Sequence, residues 1–321
     1  MAARTSSLVH PKYKTKYTVK NWSEYEQGLR NRGDVTIWFG EDAIAAWIPC
    51  RKRSRGAQRR YSDLAIETAL TLGLLFRLPL RQTEGFVGSL LRLMDLDLRS
   101  PDHSTLSRRA NQLDIQFSTV GRKTAIHLVV DSTGLQIVGQ GPWSSAKHGE
   151  RGTREWRKLH VGVDENGVIV AQKLTDNTTD DAGVVDDLLD RIPDDKKIVR
   201  FTGDGAYDQN SIYETFVELG ARIVVPPVKT AVPSRAKTRA ARARNRTVNR
   251  IKKVGRRQWK KEARYHRQAR AENTFFRYKQ LLGNRLRSRH PGNQRTEARL
   301  ACKILNRMLL LGAPKSQAIR N

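Results

Sequence analysis

The sequence predicts an α/β chain: a mixed sheet flanked by helices, preceded by an α-helical region and interrupted by a basic insertion. Three observations predict it. Apolar residues recur with a helical period ahead of Thr124 and with strand-like runs from Ala125 onwards. The first three strand runs follow one another directly, whereas the later ones alternate with helical stretches. One segment, residues 229–264, carries 15 Lys/Arg against a single acid, Glu262, and follows Pro226-Pro227.

The amino-terminal region, residues 1–120, reads as helices. Ser62-Asp63 is a cap and first turn for a helix carrying Leu64, Ile66, Ala69, Leu70 and Phe76. A second helix spans Arg81 to Met94. A third starts near Asp102 after Ser100-Pro101 and bears Ser104, Thr105, Ser107, Arg108 and Arg109. Small polar and basic residues on the last of three short helices fit a helix-turn-helix, with Arg108 and Arg109 as DNA contacts.

Residues 121–321 form the second region. Ile126 to Val130 is a strand ending at Asp131, and Asp164-Glu165-Asn166-Gly167 is a hairpin turn between strands Lys158–Val163 and Val168–Leu174. A helix over Asp180–Ile192, a strand Ile198–Thr202, a helix Asp208–Leu219 and a strand Arg222–Val225 come next. Beyond the basic segment, read as an insertion or long loop, Ala263–Leu282 is one long helix and Gln294–Leu311 a packing helix. Three strands can form a meander, and the helix-separated ones return parallel to the first. That is the element order of a ribonuclease-H-like fold.

In this topology Asp131 ends the first strand, Asp204 follows the fourth, and Glu272 lies within the long helix packed beside them. Three hard oxygen ligands at one point suit Mg²⁺ or Mn²⁺. Without a cation they would repel one another. Asp164, Asp176, Asp180 and Asp208 are competing acids, and each chosen carboxylate alone could equally make a turn or lie on a surface. Tyr265, Gln268, Glu272 and Lys279 share a stripe on the helix, with Lys279 ~10 Å along the axis from Glu272, too far for an i,i+4 salt bridge and free to meet a phosphate.

Composition bounds the partners. The chain has 321 residues, 60 Lys+Arg against 32 Asp+Glu and a net charge of +28, which points to a polyanion. The longest apolar stretch, Ala69–Phe76, is far below the ~18–20 residues of a membrane span, and the polar basic run Arg4–Lys20 lacks the apolar segment of a secretory signal. Two cysteines, Cys50 and Cys302, give neither a disulfide framework nor zinc spacing, so a reduced, cytoplasmic chain is expected.

Several motifs together resemble the DDE transposases of bacterial insertion sequences, in the insertion-sequence-five group. They are Asn21-Trp22-Ser23-Glu24-Tyr25, Arg32-Gly33-Asp34-Val35-Thr36-Ile37-Trp38, Asp131-Ser132-Thr133-Gly134-Leu135, Lys147-His148-Gly149, Trp156-Arg157-Lys158-Leu159-His160, Gly203-Asp204-Gly205-Ala206-Tyr207-Asp208, and Tyr265 through Glu272 to Lys279. The resemblance runs from about residue 17 to about residue 310. It implies a ribonuclease-H-like catalytic domain, Mg²⁺-dependent cleavage of double-stranded DNA at the element's terminal inverted repeats, transfer of the freed 3′-hydroxyl to target DNA, and at least a homodimer in the synaptic complex on nucleoid DNA. Asp131, Asp204 and Glu272 match the family's acidic triad. Tyr265, Arg267, Lys279, Lys147, His148, Arg157 and Lys158 are then expected along the DNA. The family's pattern has an arginine four residues before the glutamate, where this chain has Gln268; an arginine there would grip a phosphate by a charged fork, so Gln268→Arg is expected to raise cleavage or end binding. A transposase-derived DNA-binding regulator without catalytic activity is the alternative reading.

Overall fold

The computed structural model describes residues 17–50, 58–117, 125–138 and 156–319. They divide into two compact units, one made of residues up to Trp38 with those from Arg307 onwards, the other of Phe39–Asn306. In the first, strand β1 (Tyr17–Val19) pairs antiparallel with β8 (Ser316–Ala318) at Tyr17↔Ala318. Helix α1 (Trp22–Asn31) comes so close to the chain at Leu311 that a Cβ on Gly28 would lie 2.5 Å from the Leu311 carbonyl oxygen. After α2 (Val35–Trp38), the Arg307 guanidinium lies 5.3 Å from the centre of the Trp38 ring.

The larger unit begins with helices: α3 (Glu41–Ala45), α4 (Asp63–Leu75), α5 (Leu80–Leu93) and α6 (His103–Ala110). Ser62 Oγ accepts from the Ala65 amide and Asp102 Oδ1 from the Thr105 amide, so the caps of α4 and α6 stand where the sequence puts them. The short turn of this trio, residues 76–79, joins α4 to α5, while a longer stretch, residues 94–102, leads into α6. That differs from a helix-turn-helix in which α6 follows the tight turn.

The sheet is six-stranded and mixed: β2 (Ala125–Ile137), β3 (Trp156–Val163), β4 (Ile169–Asp176), β5 (Lys197–Thr202), β6 (Arg222–Val224) and β7 (Arg285–Leu286). Its order is β4-β3-β2-β5-β6, with β7 on β2; β2, β3 and β4 form an antiparallel meander, and β5 and β6 run parallel to β2. This is the expected topology and is consistent with a ribonuclease-H-like fold.

Side-chain alternation along β2 divides the core. Ile126, Leu128 and Val130 face α7 (Val185–Leu189) and α8 (Asn210–Glu218). Val129 and Leu135 face α11 (Ala269–Leu281) and the part of α12 (Pro291–Leu311) up to Asn306. Asp131, an odd-numbered residue, belongs to this second face.

Three expectations change. Strand β2 does not end at Asp131 but continues to Ile137, because β3 pairs with it through Gln136↔Trp156. The 229–264 segment is largely helical: α9 (Arg239–Val254) is capped by Thr238, and α10 (Arg256–Glu262) follows Gly255, whose φ of 80° suits glycine. Alanine and long basic side chains are good helix formers, and burial of Ala240, Ala241, Val248 and Trp259 docks the segment. Finally, Ala263–Leu282 is not one helix. Tyr265–Gln268 is a 3₁₀ turn and α11 starts only at Ala269. No helix among the described residues is long and apolar enough to cross a membrane.

Candidate active site

The sheet has a gap that makes room for the site. Parallel pairing of β5 with β2 stops at Val129↔Thr202, and β7 takes up the same strand only at Gln136↔Arg285. Asp131 lies in between, with its Oδ1 accepting from the Ser132 amide at 2.8 Å. Asp204 follows the end of β5, in register with the gap, and its Oδ1 accepts from the Ala206 amide at 2.9 Å. The turn after it is tight: a Cβ on Gly203 would sit 2.7 Å from Tyr207 Cδ2, so glycine is required there. Glu272 stands exposed in the first turn of α11, the helix over the Asp131 face of the sheet.

The electrostatics tie the three together. Burial pushes the Asp131 carboxyl up to about 6, and the charges of Asp204, Glu272 and Asp181 push the same way. The Tyr265 phenol is pushed up to about 12 by burial and then by Asp204, Glu272 and Asp131. Among the described residues no Lys, Arg or His forms an ion pair with Asp131, Asp204 or Glu272. Nor, among them, do any three His, Cys, Asp or Glu stand close enough together to hold one ion. The carboxylates are therefore near enough to act on one another's charge without standing close enough together to hold one ion.

The competing acids are accounted for. Asp164 closes the β3–β4 hairpin by accepting from the Asn166 and Val168 amides. Asp176 accepts from the Thr178 and Thr179 hydroxyls. Asp180 accepts from the Gly183 amide and the Gln209 side chain, and Asp208 is paired with Arg244. Asp181, which the sequence did not single out, lies near enough to Asp131 to act on it. It is held by Lys158 Nζ at 3.2 Å, and His160 Nδ1 lies 3.4 Å away. Nothing in the repeated Asp180-Asp181 distinguishes the two before the chain is folded.

The basic residues expected along the DNA separate into two groups. Arg109 is 7% exposed and donates to the Tyr61 carbonyl and to Asp63 Oδ1, so it fastens α6 to the start of α4 and does not reach a ligand. Lys158 is engaged with the Thr179 carbonyl and Asp181. Arg267 Nη1 donates to His127 Nδ1 at 3.3 Å; the buried imidazole is held down at about 4 by burial and by the Arg200 and Arg267 charges, so it stays neutral and its Nε2–H is left for the Thr202 hydroxyl.

Gln268, expected on one stripe with Glu272, is 4% exposed and donates through Nε2 to the Val130 carbonyl at 3.1 Å. The 3₁₀ turn rotates it off the face of α11, and it fills the gap in the sheet left between β5 and β7. Tyr265 also precedes α11, so the shared stripe reduces to Glu272 and Lys279. Lys279 is exposed in the last turn of α11, and Arg108 is exposed on α6. Arg157 is half-buried and donates through Nε to Gln294. Lys147 and His148 lie outside the described residues.

Comparison with known protein families gives two matches, both to models of a transposase DDE domain: one over residues 30–140, the other over residues 122–309. The second covers more than half of the chain and contains the β2–β7 sheet with Asp131, Asp204 and Glu272. By this match, with which the mixed sheet is consistent, the chain belongs to the transposase DDE domain family.

Proposed function

We propose that this protein cuts double-stranded DNA at the terminal inverted repeats of an insertion sequence and joins the freed 3′-hydroxyl to target DNA, with Asp131, Asp204 and Glu272 holding the divalent ions. The observation that carries the reading is three carboxylates on separate elements, β2, the β5 exit and α11, near enough for Asp204 and Glu272 to act on the Asp131 charge and paired with no cation among the described residues. Mg²⁺ or Mn²⁺, when bound, supplies activation of the attacking oxygen and stabilisation of the leaving one. The donor set fits such ions. Mg²⁺ is usually held by one or two carboxylates, with waters and substrate phosphate completing its shell, so the three need not surround a single ion.

The remaining residues bind and orient. With its phenol pushed up to about 12, Tyr265 keeps its proton at neutral pH and can donate a hydrogen bond to a phosphate oxygen beside the carboxylates. Lys279, ~10 Å further along the exposed face of α11, offers a charge to the next stretch of backbone. The basic faces of α9 and α10 track phosphates without reading bases, and the helices between Ser62 and Leu113 carry preference for the element ends. Two ends cut in concert call for at least a dimer on DNA. The motifs that resemble the insertion-sequence-five group support a member of it, acting on bacterial nucleoid DNA in the cytoplasm.

Nicking of a supercoiled plasmid that carries the inverted repeats flanking the reading frame tests the proposal. Cleavage that depends on Mg²⁺ or Mn²⁺ is expected. Binding of the same DNA with no cleavage in either ion would mark a non-catalytic DNA-binding regulator and overturn it.

A further inference from the structure

Away from the carboxylates, the larger unit holds a cleft of about 950 Å³. Its floor is aliphatic, with Leu70 and Leu74 of α4, Leu80 of α5 and Leu300 of α12. Its rim is basic: Arg77, Arg81, Arg287 and Arg289 all line it. The one acid in the lining, Glu297, is already satisfied, since its two oxygens accept from the Arg287 and Ser288 amides at 2.8 and 2.9 Å. The N-terminal turn of α12 reaches the cleft at Asn293 and adds its positive dipole end, whereas that of α6 is already met by Asp102 and Glu84.

The rim lacks a counter-charge. Arg81 and Arg289 are exposed and form no ion pair among the described residues. Burial holds the Arg287 guanidinium below its usual range against the pull of Glu297, and the nearby Arg77 charge adds a little in the same direction as burial. Arg77 adopts a left-handed φ of 54° and donates through Nη2 to the Gln280 and Leu281 carbonyls at 3.1 and 3.2 Å. That fastens the cleft to the last turn of α11, the helix of Glu272 and Lys279. Strand β2 leads to the same place, because Val138, just past its end, lines the cleft.

We propose that this cleft seats the sugar–phosphate backbone of duplex DNA about seven base pairs from the phosphate cut at the carboxylates. The inference rests on the strand cleavage proposed above and adds where the flanking duplex lies. From Asp131 to Val138 is seven residues of chain, the last just past the end of β2, or ~23 Å at ~3.3 Å each, and a duplex advances ~3.4 Å per base pair. Arginine forks grip phosphates, while the leucine floor accepts the C–H edges of deoxyribose. Among the described residues no Phe, Tyr or Trp lines the cleft, and its two imidazoles are already held, His103 by Glu84 and His290 by the Gly292 amide, so backbone is a better fit than an unstacked base.

The test uses the full chain and a duplex bearing one inverted repeat and its flank. Phosphate ethylation interference and salt-dependent binding are measured without divalent ions for wild type, Arg81→Ala/Arg289→Ala and Arg81→Lys/Arg289→Lys. Expected is a cluster of essential phosphates about seven base pairs from the cut, lost in the alanine variant alone, with the slope of log affinity against log salt shallower by about 1.8. The lysine variant should keep the slope. Both arginines are exposed, so equal melting temperatures should attend the loss. An unchanged interference pattern and slope, in a wild type that still nicks at the repeat, would overturn the cleft while leaving the catalytic reading. Arginine-dependent interference in a chain that never nicks would do the reverse.

Discussion

Asp131 and Asp208 are both largely enclosed carboxylates close to the end of β5, yet they are treated in opposite ways. Asp208, with its side chain 3% exposed, receives two hydrogen bonds from Arg244 at 2.9 and 2.8 Å and one from the Tyr213 hydroxyl at 3.2 Å. The pairing holds the Arg244 guanidinium above its usual range, chiefly through the hydrogen bonds to Asp208. Asp131 has one backbone amide, three carboxylates acting on it and no cation paired with it among the described residues. A buried charge needs a counter-charge. For Asp208 the chain supplies it from α9; for Asp131 it leaves that to something bound. The difference separates a carboxylate that holds the fold from one placed to hold ions.

Substitutions can sharpen or break that contrast. The largest effect is expected at the site: Asp131→Asn, Asp204→Asn and Glu272→Gln each keep the shape but lose the anionic oxygen. Strand cleavage should fall by roughly a hundredfold or more, as when a transition-state contact is removed, with DNA binding retained. Wild-type nicking by any of the three would remove that residue from the set. Next, Arg244→Met strands the Asp208 charge and should cost about 3 kcal/mol in denaturant unfolding, while cleavage per folded molecule stays unchanged. A loss of less than about 1 kcal/mol would mean that Tyr213 and solvent suffice for Asp208.

Gln268→Arg comes third. The site is buried and its one bond is to the Val130 carbonyl, so the structure reverses the expected gain: a guanidinium there should cost about 2 kcal/mol and leave end binding no stronger. Tighter end binding with steeper salt dependence would show that the arginine escapes to a phosphate. The smallest effect is on stability against pH. The Asp131 carboxyl sits near 6 when folded against 3.8 as its ordinary value, so the native state keeps a proton that the unfolded chain has released, and stability falls as pH rises from about 4 to about 6. Asp131→Asn removes that penalty. It should unfold less readily than wild type at pH 7, with no difference below about pH 4. Added Mn²⁺ should stabilise wild type at pH 7 and the variant less.

Much was legible in the sequence because it is locally encoded. The strand runs alternate or are bounded by turn residues, Ser62 and Asp102 announce their helices, and the spacing of helices between strands fixes which ones return parallel. Asp131 and Asp204 follow from that order, since parallel neighbours bring their carboxyl ends together. Glu272 was legible as a helix residue of the right region, and the family resemblance singles out the same three carboxylates.

The amino-acid sequence alone thus determined the strand order and the basic balance, because period, turn chemistry and charge are properties of neighbouring residues. Tertiary structure alone decided what each polar side chain meets. It ran β2 on past Asp131 because β3 supplies a partner there, and it broke the 263–282 helix so that Gln268 could close the gap left between β5 and β7. It also turned Arg109 inward onto Asp63 and set Asp181 near Asp131. Each of these depends on a group tens of residues or more away, and no local period records such a partner.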